Sequence, residues 1–402
     1  MTKEYYKFDK SILLALQEFE QELFLKDFNS KKSENFINIS YSDLNYSCKD
    51  KIDKIIDSKI QAISFFSGAG GLDIGAQLAG VKIISSLDFN KDAVNTMKLN
   101  SYFNHTKHFC DDISNKTAKD YADIIKQNKP EKLILIGGPP CQPFSKAGYW
   151  VTNQNRMAHE DPRNMIGQYL RIIKEFKPDG FVLENVESIL HPSNIQAVHF
   201  IEKTIQEMGY NYKILKLNSA DFGVPQKRKR VFFVASHKKF EKNIQATHGE
   251  NGLLNGNLLP YENVLNWIGR FDDKKYFEPL EECNGKYYND LCQVKPGKNY
   301  IAITEKNNYP NPKFIAGKRY WSFLLKLHPN LPSWTIIAKP GHWEGPFHWN
   351  NRRLRNIEAA AIQTFPYDYK FYGSPRVVRQ QIGNAVPPLL GKAVVEYLLN
   401  NL

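Results

Sequence analysis

Six short runs rich in β-branched, leucine and aromatic residues recur between residues 60 and 240. They fall at 63–66, 83–87, 133–136, 181–183, 212–217 and 231–235, with polar, helix-like stretches between them. This rhythm predicts an α/β chain built on a doubly wound, mostly parallel sheet. In such a sheet ligands bind beyond the carboxyl ends of the strands. The residues that follow the runs are chemically distinctive: Ser67 and Gly68 after the first, Asp88 after the second, Pro139 to Cys141 after the third, and Glu184 with Asn185 after the fourth.

The remainder of the 402 residues divides by composition. Residues 1–59 read as an N-terminal helical extension, with one amphipathic helix over 9–28 whose apolar face carries Ile12, Leu13, Leu16, Phe19, Leu23 and Phe24. Residues 60–240 form the sheet domain. From 241 to 350 Asn, Gly, Lys and aromatics dominate, with Pro296-Gly297 and Pro340-Gly341 as turn signals, which predicts a smaller, loop-rich domain. Helical patterning returns at 357–362 and 387–399, so 351–402 is expected to rejoin the sheet. The tryptophans of the 241–350 region, Trp321, Trp334, Trp343 and Trp349, serve either as a small core or as a contact surface.

A formal charge of +12 favours a polyanionic partner without identifying one. No apolar run is long enough to span a bilayer, and the first residues, MTKEYYKFDK, lack a signal-peptide pattern, so a cytoplasmic protein without membrane association is expected. The five cysteines contain no Cys-x-x-Cys pair, which fits a reducing compartment and predicts no metal site.

Cys141 stands in Gly137-Gly138-Pro139-Pro140-Cys141-Gln142-Pro143-Phe144-Ser145, where prolines fix the backbone and glycines admit a planar partner. That setting suits a nucleophile, although a buried thiol beside a structural turn would look the same. Phe66-Ser67-Gly68-Ala69-Gly70-Gly71 lies between the first run and a helix, and Asp88 ends the next run twenty positions after Gly68. A glycine turn with a following acid suits a nucleoside: the turn admits it and the carboxylate accepts from ribose hydroxyls. Position 73 is Asp, which breaks the dinucleotide fingerprint and points to a nucleoside without a pyrophosphate. Phe89 is placed to stack on an adenine and Asp112 to accept from its amino group. Glu184, at the end of a strand expected beside that of Cys141, could act with the thiol on one heterocycle. In Gln226-Lys227-Arg228-Lys229-Arg230, strand alternation sends Arg228 and Arg230 to one side.

Taken together in this order, these motifs resemble those of the DNA (cytosine-5) methyltransferases of bacterial restriction-modification type. The resemblance covers 60–240 and 350–402, and includes Asp161-Pro162-Arg163-Asn164, Arg352-Arg353-Leu354 through Gln363-Thr364-Phe365-Pro366, and Gln381-Ile382-Gly383-Asn384-Ala385-Val386-Pro387. It implies S-adenosyl-L-methionine as cofactor, held by Phe66, Ser67, Gly68, Gly70, Gly71, Asp88, Phe89, Asp112, Pro139, Asn384, Ala385 and Val386. It implies double-stranded DNA as substrate, read by residues 241–350. Cys141 would add to carbon 6 of a flipped-out cytosine, Glu184 would engage N3 and the amino edge, Arg230 with Arg228 the O2 side, and Asn185 would position the nucleophile loop. The enzyme is expected to act as a monomer, with a cognate endonuclease encoded nearby but no stable complex required. Two positions depart from the family pattern: Asp88 stands where Glu is usual, and Arg355-Asn356-Ile357-Glu358 where Thr-Val-Arg-Glu is usual, which puts the bracing of the recognition region in question. An RNA-directed relative of the tRNA-modifying branch would use the same Cys141 and Glu184. A catalytically silent DNA-binding protein on this scaffold is the alternative from another class, and the intact Cys, Glu and Arg set argues against it.

Overall fold

In the computed structural model, which describes residues 55–140, 164–250, 252, 258–317 and 320–402, strand β1 (Ile60–Phe65) sends alternate side chains into two cores. Ala62 packs on one face of the sheet and Ile63 and Phe65 on the other. The same alternation divides Ile134 and Ile136 from Leu135 in β4 (Lys132–Gly137), and Val182 from Phe181 and Leu183 in β5 (Gly180–Val186). A strand covered on both faces needs apolar residues at every position, which is why these runs are continuous.

With β2 (Lys82–Asp88), β3 (Lys107–Cys110), β6 (Asn211–Asn218) and β8 (Lys229–Ser236), they form a seven-stranded sheet of order β3-β2-β1-β4-β5-β8-β6. Neighbours from β3 to β5 are parallel, and β8 runs antiparallel between β5 and β6. The doubly wound, mostly parallel reading therefore holds. Strand β3 was not among the six runs because Lys107-His108-Phe109-Cys110 is a short edge strand with no fully buried residue, so it needs no apolar run.

One face is covered by the helices Gly71–Leu78 and Pro388–Leu399, the other by Met165–Phe176 and Ile195–Glu207. The first pair packs almost backbone to backbone. A side-chain carbon at Gly75 would lie 2.7 Å from the Pro388 carbonyl oxygen and from Gly391, so any larger residue would force the C-terminal helix off the sheet.

Residues 241–350 are mostly irregular, with a two-residue ladder joining Ser333–Trp334 to β7 (Gln226–Lys227). Their packing does not break at the boundaries expected for a separate domain. Leu291, Val294, Tyr300, Ile303, Leu324 and Phe347 form a small core of their own, but Val264, Trp267, Phe271 and Ile336 share the main core with Ile74, Met97 and Ile362. The tryptophans split likewise: Trp349 is buried, whereas Trp321 and Trp334 stay half exposed and meet edge to face at 5.5 Å. The amphipathic stretch 9–28 lies outside the described residues. Among those described, no helix is long and apolar enough to cross a membrane, and no cluster of potential metal ligands occurs.

The unusual Arg355-Asn356-Ile357-Glu358 segment has its own bracing. Arg355 is buried and forks onto the Glu281 carboxylate, one bond measuring 2.8 Å, while donating to the carbonyls of Phe271 and Asp273. Arg352 donates to Glu358 at 2.7 and 2.9 Å and to Asp272 at 2.8 Å. These bonds tie the loop-rich region to the helix Asn356–Ile362. Replacing Arg355 by Ala leaves Glu281 buried without its cation, and unfolding in urea is expected to show a loss of about 3–5 kcal/mol.

Candidate active site

The strand ends converge because β1, β4 and β5 run parallel and in step. Phe65 lies opposite Gly137, and Gly137 opposite Leu183, so Phe66, Gly138 and Glu184 emerge side by side. After β1 the chain turns through Gly68 and Gly70, both with positive φ (54° and 78°), into the helix Gly71–Leu78. A side-chain carbon at Gly71 would stand 2.3 Å from the Val386 carbonyl oxygen. Only glycine lets the segment Asn384, Ala385, Val386 close onto the turn.

Asp88, at the end of β2, accepts from Gly68 N–H at 2.7 Å and from Asn90 N–H at 2.7 Å. Its shorter side chain thus holds the glycine turn directly, with lone pairs left for a hydroxyl. Burial pushes its pKa up, against the pull of the Asn90 and Gly68 amides.

Glu184 packs against the chain that follows β4: a side-chain carbon at Gly138 would meet its Oε2 at 3.0 Å. Asn185, buried beside it, donates through Nδ2 to the Pro139 carbonyl at 3.0 Å and accepts from Val186 N–H at 2.9 Å. The loop is therefore tied to β5 two residues before Cys141, which itself lies outside the described residues. Glu184 Oε1 is 3.0 Å from Arg230 Nε. Burial raises the pKa of Glu184 although Arg230 and Arg228 pull it down, so this carboxyl keeps its proton to higher pH than an ordinary glutamate.

Arg228 requires a correction. Alternation does place it on the same side as Arg230, but it is only 1% exposed and forms no part of the cavity wall. Its guanidinium donates to the carbonyls of Ile336 at 3.3 Å, Gly383 at 2.6 Å and Ala385 at 3.1 Å. It is a positioning residue behind the site, with its terminal NH groups bonded to backbone carbonyls rather than to a base. Gln226, quoted in the same motif but given no role there, assists by accepting from Ile336 N–H at 2.9 Å and donating to Gln363 at 2.9 Å. Phe89 and Asp112 also stand off the cavity. Phe89 is 78% exposed between the wall residues Asp88 and Asn90, and Asp112 Oδ1 caps its own turn by accepting from Ser114.

A single cavity of about 440 Å³ runs from Phe66, Ser67, Gly68 and Asp88 past Asn384, Ala385 and Val386 to Pro139, Pro140, Glu184 and Arg230. Its wall carries four carboxylates, Asp73, Asp88, Asp92 and Glu184, against one guanidinium, Arg230, which is already paired. The volume suits a nucleoside, and the charge balance suits a cation.

A family model described as C-5 cytosine-specific DNA methylase matches residues 60–400. The chain belongs to that family. The type II methyltransferase M.SacI of Streptomyces achromogenes is 33% identical to it over 375 residues, covering 86% of this chain and 94% of that protein. The type II methyltransferase M1.HphI of Haemophilus parahaemolyticus is 30% identical over 344 residues, covering 84% and 86%. Two solved structures share the fold: a putative DNA modification methyltransferase encoded within an E. coli prophage, with TM-score 0.57 at 23% identity over 85% of this chain and 99% of that one, and a Spodoptera frugiperda DNMT2 mutant, with TM-score 0.56 at 16% identity over the same shares.

As a DNA (cytosine-5) methyltransferase, the protein transfers a methyl group to carbon 5 of cytosine in DNA. Burial lets the Glu184 carboxyl hold a proton to higher pH than an ordinary glutamate, and that protonated form is lost as pH rises through its raised pKa. Glu184→Gln is expected to slow methyl transfer by about 10²-fold or more and to abolish this alkaline fall in rate, measured by single-turnover kinetics across pH.

Proposed function

We propose that this chain is a type II modification enzyme that methylates one cytosine within a specific duplex DNA sequence, with S-adenosyl-L-methionine as donor and Cys141 as covalent nucleophile. The observation that carries the reading is the continuous cavity joining the glycine turn to the Glu184–Arg230 pair. The donor would lie along Phe66, Ser67, Gly68, Asp88 and Val386, where the excess of carboxylates favours its positive charge. When bound, it supplies an electrophilic methyl group on a sulfonium.

The residues of the chain do the rest. A base inside a duplex cannot reach the wall at Pro140 and Glu184, so the target nucleotide is turned out of the stack at a cost of a few kcal/mol. Basic and aromatic groups of 241–350, including the exposed Trp321 and Trp334, offset that cost by contacts to DNA. The Cys141 thiolate adds to carbon 6 as Glu184 gives its proton to N3, which makes carbon 5 nucleophilic. Arg230 holds the carboxyl of Glu184 in place and faces the O2 side. Carbon 5 then takes the methyl group and loses its proton to water, the carbon 6–sulfur bond breaks to release the thiolate, and N3 returns its proton to Glu184. Asn185 keeps the loop in reach throughout by its bond to Pro139.

The relatives named type II methyltransferases support a place in a restriction-modification system, in which the proposed enzyme acts in the cytoplasm as a monomer alongside a separately encoded nuclease. With DNA containing 5-fluorocytosine and donor, the wild-type chain is expected to form an adduct that survives denaturation, and Cys141→Ser none. An adduct formed by the serine variant would reject the nucleophile assignment. Methyl transfer to duplex DNA and not to tRNA is expected when the two are compared directly.

A further inference from the structure

Asp73 is the third residue of the helix Gly71–Leu78 and forms part of the cavity wall, yet it is fully buried. Neither of its carboxylate oxygens has a hydrogen bond of ordinary length. An acid held this way costs stability, and its helix neighbours Leu72, Ile74 and Ala76 are packed in apolar cores where an acid adds nothing. The groups that face it are the Ser64 hydroxyl on β1, Asp88 at the end of β2, and Tyr369, whose hydroxyl is spent on the Ala69 carbonyl at 2.6 Å. None of them is a cation. The N-terminus of its own helix supplies only a partial positive charge, so a full counter-charge is left for what enters the cavity.

We propose that Asp73 is the counter-charge of the methyl donor, weighting the site toward a sulfonium over the neutral thioether left after transfer. The inference rests on reading this cavity as the donor site. Burial pushes Asp73 up to about 7, the Ser64 hydroxyl pulls it partly back and Asp88 pushes it further up. A positive charge in the cavity lowers that pKa, so donor binding near pH 7 expels a fraction of a proton, about one half for a group titrating there. When carbon 5 takes the methyl group, the bonding pair stays on sulfur and the charge disappears. Asp73 then recovers its proton and the product loses an attraction that the donor had.

Calorimetric titration of the full chain with S-adenosylmethionine and with S-adenosylhomocysteine, at pH 7 in phosphate and in Tris, reads affinity and proton release together. The thioether carries the same amino-acid end and controls for it. The wild type is expected to prefer the sulfonium and to release protons with it in excess of the thioether. In Asp73→Asn the excess proton release should vanish and the preference should fall by on the order of tenfold, the equivalent of one pKa unit. An unchanged preference and proton count in the variant would overturn the role. Equal proton release with both ligands by the wild type would overturn it without any variant. If the wild type binds neither nucleoside, it is the donor reading of the cavity that fails.

Discussion

The register of three parallel strands is what the site depends on. Pairing of Phe65 with Gly137 and of Gly137 with Leu183 brings the glycine turn, the chain after Gly137 and Glu184 to one edge at neighbouring strand spacings. A slip of one residue in β5 would reverse its pleat. It would bury Val182 where Leu183 now packs and carry Glu184 away from Gly138. Because Phe181, Val182 and Leu183 are all fully buried in two different cores, such a slip is blocked by packing on both faces. The Asn185 bond to Pro139 then sets the loop against a strand that cannot shift.

That logic explains what could be read in the sequence. Continuous apolar runs are the mark of strands buried on both faces, and the fold class follows from their spacing. Chemistry at strand ends follows from topology, so Glu184, Asn185 and Asp88 were legible as well. Edge strand β3 was not, because an edge covered on one side imposes no pattern on Lys107-His108-Phe109-Cys110. The role of Arg228 was hidden for another reason. Its partners are backbone carbonyls of residues 336, 383 and 385, and backbone acceptors leave no mark on residue type. The packing of 241–350 was hidden in the same way. Composition changes at 241, but Val264, Trp267 and Phe271 pack into the core that holds Ile74 and Ile362, and a local pattern cannot say which core an apolar residue joins.

Charge is distributed in opposite senses inside and outside the molecule. The chain carries a formal +12, which draws it to a polyanion. The cavity wall, by contrast, gathers four carboxylates around one paired guanidinium. On the proposed reading, the net charge and the cavity wall sort two ligands of opposite sign into two places on one protein. The buried position of Asp88 and Glu184 raises both their pKa values, which limits the repulsion among the carboxylates.

Arg228 and Gln226 join these two regions mechanically. Gln226 accepts from the Ile336 amide while Arg228 donates to the Ile336 carbonyl, so one residue of the recognition region is gripped on both sides. The same guanidinium reaches Gly383 and Ala385, and Gln363 links Gln226 to the Ile382 carbonyl at 2.6 Å. Gly383 closes the contact, since a side-chain carbon there would lie 2.4 Å from the Ala338 Cα. Ala385 and Val386 in turn cover the glycine turn. Moving Ile336 relative to the cofactor wall therefore means breaking several buried hydrogen bonds at once, each without water to replace it. The segment around Ile336 and the segment that covers the glycine turn therefore behave as one piece, joined by a rigid connection rather than a hinge.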